Sequence, residues 1–294
     1  MKDIFINTSD KIKLNVKMTG SGEKILFVHE FGGDQRGWEP QILYFSRRYQ
    51  CITFNARGYP PSSIPEKIEY YSQERAVEDI FDVMNELSID KAHIVGLSMG
   101  GFAAVHFAIK YPDRANSIVV AASGYGAEKE HEKFFKNLSN KVADQFIKLG
   151  SKKFSEIYAR AASRIPFMLK DQIGWEYFLK RLSEHSEIGA SMTMKGVQAA
   201  RPSLFDMEKK LKSMMTPTLI IVGDEDDHCL KPGLFLKKCI QASGLLILPK
   251  TGHTINLEEP VYFNNFLSDF FSQVEHDKWL PRDPRSNPDE IMKI

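Results

Sequence analysis

Cysteine is scarce in this chain: three residues in 294, Cys51, Cys229 and Cys239, an odd number without framework spacing. That excludes a disulfide-stapled scaffold and favours free thiols in a reducing compartment, each a small buried hydrophobe. Net charge is nearly absent as well, because 39 Lys and Arg offset 38 Asp and Glu. No global field attracts nucleic acid or an anionic membrane, so a small-molecule partner is expected. No apolar run approaches the ~18 residues that span a bilayer. The amino terminus, Met1-Lys2-Asp3-Ile4-Phe5, lacks the apolar segment and small-residue cleavage site of a signal peptide. A cytoplasmic location is expected. Groupings of Cys, His and Asp with metal-ligand spacing are missing, and so is Gly-Lys-Ser/Thr, so neither a metal centre nor a phosphate loop is expected.

What is present is a core-forming composition, 43% apolar, in a chain long enough for one large α/β domain with an insertion. Two β-rich runs at 4–6 and 12–16 read as an antiparallel hairpin. Apolar strands at 25–28, 51–54, 92–96 and 115–122 then alternate with helical patterns at 38–47, 72–87 and 99–110. That alternation predicts a mostly parallel, doubly wound sheet. From about Gly124 the strand signal stops, and helical stretches run at 132–149, 153–163 and 173–185. Alternation resumes with strands at 218–222 and 245–248 and helices near 233–242 and 261–271. The expected division is a core of 1–123 and 214–274, a helical insertion of 124–213 and a tail of 275–294, in which Trp279-Leu280 is the candidate for docking.

One stretch concentrates the chemistry. The apolar run that begins at Ala92 stops at Gly96, Leu97-Ser98-Met99 follows, and Gly100-Gly101 opens a helix. Gly-x-Ser-x-Gly between strand and helix is the nucleophile elbow, whose small flanking residues relieve a strained turn and leave the serine Oγ exposed. Here the chain resembles the α/β-hydrolase superfamily. Three further stretches carry the likeness: His29-Glu30-Phe31-Gly32-Gly33, similar to His-Gly-x-x-Gly; Asn55-Ala56-Arg57-Gly58-Tyr59-Pro60-Pro61-Ser62-Ser63, similar to Asp-x-Arg-Gly-x-Gly-x-Ser; and Gly252-His253 through Glu258-Glu259-Pro260, matching Gly-His-x-x-x-x-Glu-x-Pro. The resemblance implies an α/β-hydrolase fold with a helical cap inserted after the sixth strand.

A serine hydroxyl needs a base, and the base needs a carboxylate to fix its tautomer. The resemblance implies His253 as base and, by Gly-x-x-Asp spacing in Gly223-Asp224-Glu225-Asp226-Asp227, Asp226 as the acid, with Asp227 the runner-up. Asp224 is expected to brace the loop and Glu225 to face solvent. The order Ser98, Asp226, His253 is that of the superfamily. The oxyanion donors implied are the main-chain N–H groups of Met99 and Phe31. Glu30 departs from the pattern, since an unpaired carboxylate beside the oxyanion position opposes catalysis. Pairing with Arg57 is the expected remedy; a part in substrate recognition or acid/base work is the alternative.

Tyr125, Phe134, Phe135, Trp175, Phe178, Met192 and Met194 are available to wall a substrate pocket, although the plainer reading makes most of them the insertion's own core. His93 and His106 read as packing residues and His228 as a neighbour of the acid loop. The implied reaction is cleavage of a carboxylic ester or related acyl bond of a small, largely apolar substrate through an acyl-serine, with no cofactor. Within the family the chain resembles, serine at the elbow argues against the haloalkane dehalogenases and epoxide hydrolases, which use an aspartate there. Carbon–carbon hydrolases of the meta-cleavage type keep serine and stay open. So does a ligand-binding receptor with a retained triad. Oligomeric state is not legible.

Overall fold

The computed structural model describes residues 2–286. Eight strands form one sheet in the order β1-β2-β4-β3-β5-β6-β7-β8. They are β1 (Lys2–Asn7), β2 (Lys13–Thr19), β3 (Lys24–Val28), β4 (Gln50–Phe54), β5 (Ala92–Leu97), β6 (Ala115–Ala121), β7 (Thr218–Gly223) and β8 (Ser243–Leu248). The hairpin β1–β2 and the β2–β4 pair are antiparallel, and every other pair is parallel. β5 and β7 are buried along their whole length. Helices cover both faces there, which is why these strands read as continuous apolar runs while edge strand β1 alternates.

Helices α1 (Glu39–Phe45), α2 (Gln73–Glu86) and α3 (Met99–Lys110) fill the first crossovers. Ser72 caps α2 by accepting the Arg75 N–H at 3.0 Å, an N-cap bond. Ile80, Val83 and Phe102 join Leu26, Ile94 and Ile118 in the core on one face; Trp38, Phe45, Phe263 and Phe271 close the other over Phe27, Val95 and Val119.

Between β6 and β7 the chain is helical: α4 (Lys129–Leu149), α5 (Ser151–Tyr158), α6 (Ile165–Lys170), α7 (Gln172–Ser183), α8 (Glu187–Thr193) and α9 (Glu208–Ser213). A π-helical turn, Met194–Gln198, continues α8. Phe146, Phe154, Phe167, Trp175 and Leu182 form a third apolar cluster there, joined by Phe31 and Met99 from the sheet side. No described helix is long and apolar enough to cross a membrane.

The last elements are α10 (Asp227–Cys239), α11 (Ile255–Glu258) and α12 (Pro260–Glu275). α10 starts six residues before the expected 233, with Pro232 inside it at the cost of one main-chain bond. Helix α12 runs to Glu275, where the tail was expected to start. Beyond it Trp279 packs 4.6 Å from Phe270, and its Nε1 donates to the Ala242 carbonyl at 3.0 Å. Residues 287–294 of the expected tail lie outside the described residues.

Candidate active site

The strand order reverses beside β3, which lies between β4 and β5. At such a switch point two connections leave in opposite directions and open a crevice beyond the carboxyl ends of the strands. The turn after β3 carries His29, Glu30 and Phe31; Ser98 follows β5, Asp226 follows β7 and His253 follows β8. Four segments distant in sequence therefore meet at one sheet end.

Ser98 holds φ 53° and ψ −110°, a conformation costly for a residue with a Cβ. Neighbours hold it there. Its N–H donates to Ala121 at 2.7 Å, and its carbonyl accepts from Ser123 Oγ at 3.0 Å. The turn demands glycine on each side: a Cβ at Gly96 would come within 2.2 Å of the Gly100 carbonyl, and one at Gly100 within 2.1 Å of the Val28 carbonyl. Two small residues thus let β5, α3 and β3 touch.

His253 Nε2 lies 2.8 Å from Ser98 Oγ, and its Nδ1 lies 2.7 Å from Asp226 Oδ2. An ionised carboxylate only accepts, so Nδ1 carries the proton and Nε2 accepts from the serine hydroxyl. Asp226 is wholly buried. Burial alone would raise its pKa, but the His253 ring beside it brings the net shift below the usual carboxylate value. The other acids of this loop go elsewhere. Asp224 accepts from the Thr251 N–H at 3.2 Å, Glu225 lies 3.2 Å from exposed Lys250, and Asp227 is exposed. The Cys229 thiol gathers with Asp226 and His253, and burial pushes its pKa well up.

Two residues quoted in the motifs acquire roles that sequence spacing did not assign. His29 Nε2 accepts the Ala56 N–H at 3.0 Å, which leaves Nδ1–H to donate to the Glu30 carbonyl at 2.7 Å. Burial lowers its pKa and keeps it neutral for this clamp. Glu258 accepts from the N–H groups of Gly252 and Thr254 at 2.8 and 2.9 Å, bracing the loop on both sides of His253. Among the described residues no protein acceptor takes the N–H of Phe31 or Met99. For Met99 the reason is local: it is the first residue of α3, whose opening N–H groups have no intrahelical partner.

Glu30 is paired, but not with Arg57. Arg57 is spent on Asp79 and Asp10, 2.6 and 2.8 Å away. The partner is Arg164, which donates through Nη1 to Glu30 Oε1 at 2.9 Å and through Nη2 to Oε2. Its Nη1 also reaches Thr254 Oγ1 at 2.6 Å. Burial would lower the pKa of Arg164, yet the Glu30 carboxylate raises it above its usual value. The Arg57 expectation failed because Arg164 lies in the helical insertion, 134 positions away, where no local pattern announces it. Glu30 Oε2 also lies 4.0 Å from His253 Nε2.

A cavity of about 650 Å³ opens over Ser98 and His253 and is walled by Phe31 and by Tyr125, Tyr158, Met194 and other residues of the insertion. Tyr125 stands edge-on to His253, centroids 5.1 Å apart. Trp175, a candidate wall residue, is instead buried among the insertion's helices, its Nε1 bonded to the Ala159 carbonyl at 2.8 Å. Phe134 is exposed, and His93 is a packing residue bonded to Ser117 Oγ at 2.7 Å.

Residues 24–260 match the family model described as alpha/beta hydrolase fold. The chain is an α/β hydrolase. The hydrolase is 25% identical over 284 residues to a putative 2-succinyl-6-hydroxy-2,4-cyclohexadiene-1-carboxylate synthase of Bacillus subtilis, a match covering 93% of this chain and 100% of that protein. It is 26% identical over 283 residues to 3-oxoadipate enol-lactonase 1 of Acinetobacter baylyi, covering 92% and 98%. Among solved structures it resembles a thermophilic esterase from Thermogutta terrifontis, with TM-score 0.82, 23% identity and coverage of 93% and 99%.

Proposed function

We propose that this hydrolase cleaves a carboxylic ester or related acyl bond by way of an acyl-serine on Ser98. The observation that carries the reading is the continuous hydrogen-bonded chain from Ser98 Oγ through His253 to Asp226, ending in a cavity that both Ser98 and His253 line. His253 Nε2 takes the hydroxyl proton as Oγ bonds to the acyl carbon and the carbonyl π electrons move to oxygen. Asp226 holds the ring and offsets the imidazolium charge. The oxyanion is held by the N–H groups of Phe31 and Met99, each donor worth roughly 3 kcal/mol in the transition state. Collapse of the intermediate expels the alkoxide, which takes the proton from His253. Water, activated by the same nitrogen, then hydrolyses the acyl-enzyme and regenerates Ser98.

In this reading residues 124–213 act as the cap, and their contribution to the cavity wall sets which acyl group fits. The lactonase and esterase names among the relatives are in keeping with ester-type chemistry. The test is a panel of 4-nitrophenyl esters graded by acyl length. Turnover that disappears in Ser98→Ala supports the reading; turnover surviving that change, or none with any ester, overturns it.

A further inference from the structure

The cavity over Ser98 is charged with one sign. Lys141, Arg160, Arg164 and Arg201 line it, and among the described residues no Asp or Glu does, although the whole chain carries both signs almost equally. The four cations differ in what answers them. Lys141 and Arg160 are exposed to solvent, and Arg164 is neutralised by Glu30.

Arg201 is unanswered. Among the described residues it makes no salt bridge; its Nη2 donates to the Tyr125 carbonyl, and its Nη1 is enclosed without any hydrogen-bond partner. Its guanidinium lies 3.6 Å above the centre of the Phe102 ring, a cation–π contact that offsets part of the charge but takes no N–H donor. Enclosure of the guanidinium, with no acid beside it among the described residues, pushes the pKa of Arg201 down to about 9. A half-buried cation with no ion-pair partner among the described residues and one enclosed, orphaned donor is costly, and such groups persist where something external completes them.

Its position points to the reacting atoms. Phe102 is one turn beyond Ser98 on α3, its N–H bonded to the Ser98 carbonyl at 3.1 Å. Tyr125, whose carbonyl holds Arg201, presents its ring to His253. Met194 and Gln198, from the π-helical turn just before Arg201, line the same wall. The guanidinium is therefore anchored on neighbours of both the nucleophile and the base.

We propose that the substrate of this hydrolase bears a carboxylate and that Arg201 binds it, holding the scissile acyl group over Ser98. This rests on the ester-cleaving reading and adds an anionic group to the largely apolar substrate expected from sequence. A guanidinium meets a carboxylate through paired, charge-assisted N–H bonds. Arg201 acts on the substrate and takes no part in the proton transfers.

The experiment compares mono-4-nitrophenyl glutarate with 4-nitrophenyl valerate, esters of equal acyl length that differ in the terminal carboxylate. The native enzyme is expected to favour the glutarate ester by about tenfold or more in kcat/KM, and Arg201→Met to erase that preference mainly through KM, leaving valerate within about twofold. Arg201→Lys should keep part of it, and Lys141→Gln nearly all. A native preference for valerate, equal losses on both esters in Arg201→Met, or loss of the preference in Lys141→Gln would overturn the proposal. If Arg201→Met does not fold, inhibition of native valerate turnover decides: glutarate competing where dimethyl glutarate does not supports the site, and equal or no inhibition overturns it. Should neither ester turn over, the hydrolase reading fails separately. Glutarate binding by calorimetry, present in the native protein and weakened in Arg201→Lys, would then support the carboxylate site, and its absence from the native protein would refute it.

Discussion

Asp226 and Glu30 are both buried carboxylates close to His253, and they belong to differently built halves of the site. Asp226 comes off β7 and meets a ring carried by the loop after β8. Glu30 comes off β3 and is answered in direct contact by Arg164 of the insertion. The groups proposed for the chemistry thus sit on strand ends whose mutual distance follows from sheet register, a rigid support. The groups that answer charge and shape the cavity come from helices with their own apolar cluster. The lesson is a division of labour. On the proposed reading, the sheet end places the reacting atoms and the insertion shapes what reaches them.

The largest test of this contrast is on the sheet side. Ser98→Ala is expected to lower kcat by ~10⁶ and Asp226→Asn by ~10⁴, with Asp227→Asn close to native, all measured on a 4-nitrophenyl ester. A loss in Asp227→Asn with normal activity in Asp226→Asn would move the acid by one residue and break the register argument.

The next effect couples the halves. Glu30→Gln leaves Arg164 buried without its counter-charge and should cost about 3 kcal/mol of stability in urea unfolding. Adding Arg164→Met should recover most of that loss. Simple additivity of the two losses would show that the pair does not join insertion to sheet.

A smaller effect is expected in pH. Burial alone would raise the pKa values of Asp34 and Asp226, but His185 and Arg36 beside the first and His253 beside the second bring both below their usual value. Their contribution is complete above about pH 4, the unfolded value, and is lost as the pH falls below it. Asp79 and Glu258, raised by burial, act in the opposite direction. The urea midpoint should hold down to about pH 5 and drop below about pH 4; a midpoint unchanged at pH 3 would contradict the depressed pair. The smallest effect is Trp175→Phe, which removes the bond to Ala159 and should cost about 1 kcal/mol while leaving kcat/KM within about twofold. A large loss of activity would return Trp175 to the cavity wall.

Much of this was legible because it is local. Strand β5, the glycines around Ser98 and the helix after it are neighbours in sequence, and their crowding is a property of a few adjacent residues. His253 and Asp226 each follow a strand within a short stretch that resembles the superfamily's signatures, so the resemblance points to them, with Asp227 as runner-up. Helix ends were less legible, as α10 shows: the helix expected near 233–242 opens at Asp227 with Pro232 inside it, and packing of Leu236 and Cys239 in the core outweighs one missing bond.

By itself, then, the amino-acid sequence determined the alternation that builds a parallel sheet, the elbow at Ser98 and the motif residues that the sheet end gathers. Only the tertiary structure decided that Glu30 is answered by Arg164, that Trp175 is core and that Arg201 has no counter-charge among the described residues. Strand patterns and tight turns are written in neighbouring residues by backbone sterics and burial on two faces. The balance of charge in a cavity depends on side chains more than a hundred positions apart, and their meeting is set by how the helices pack.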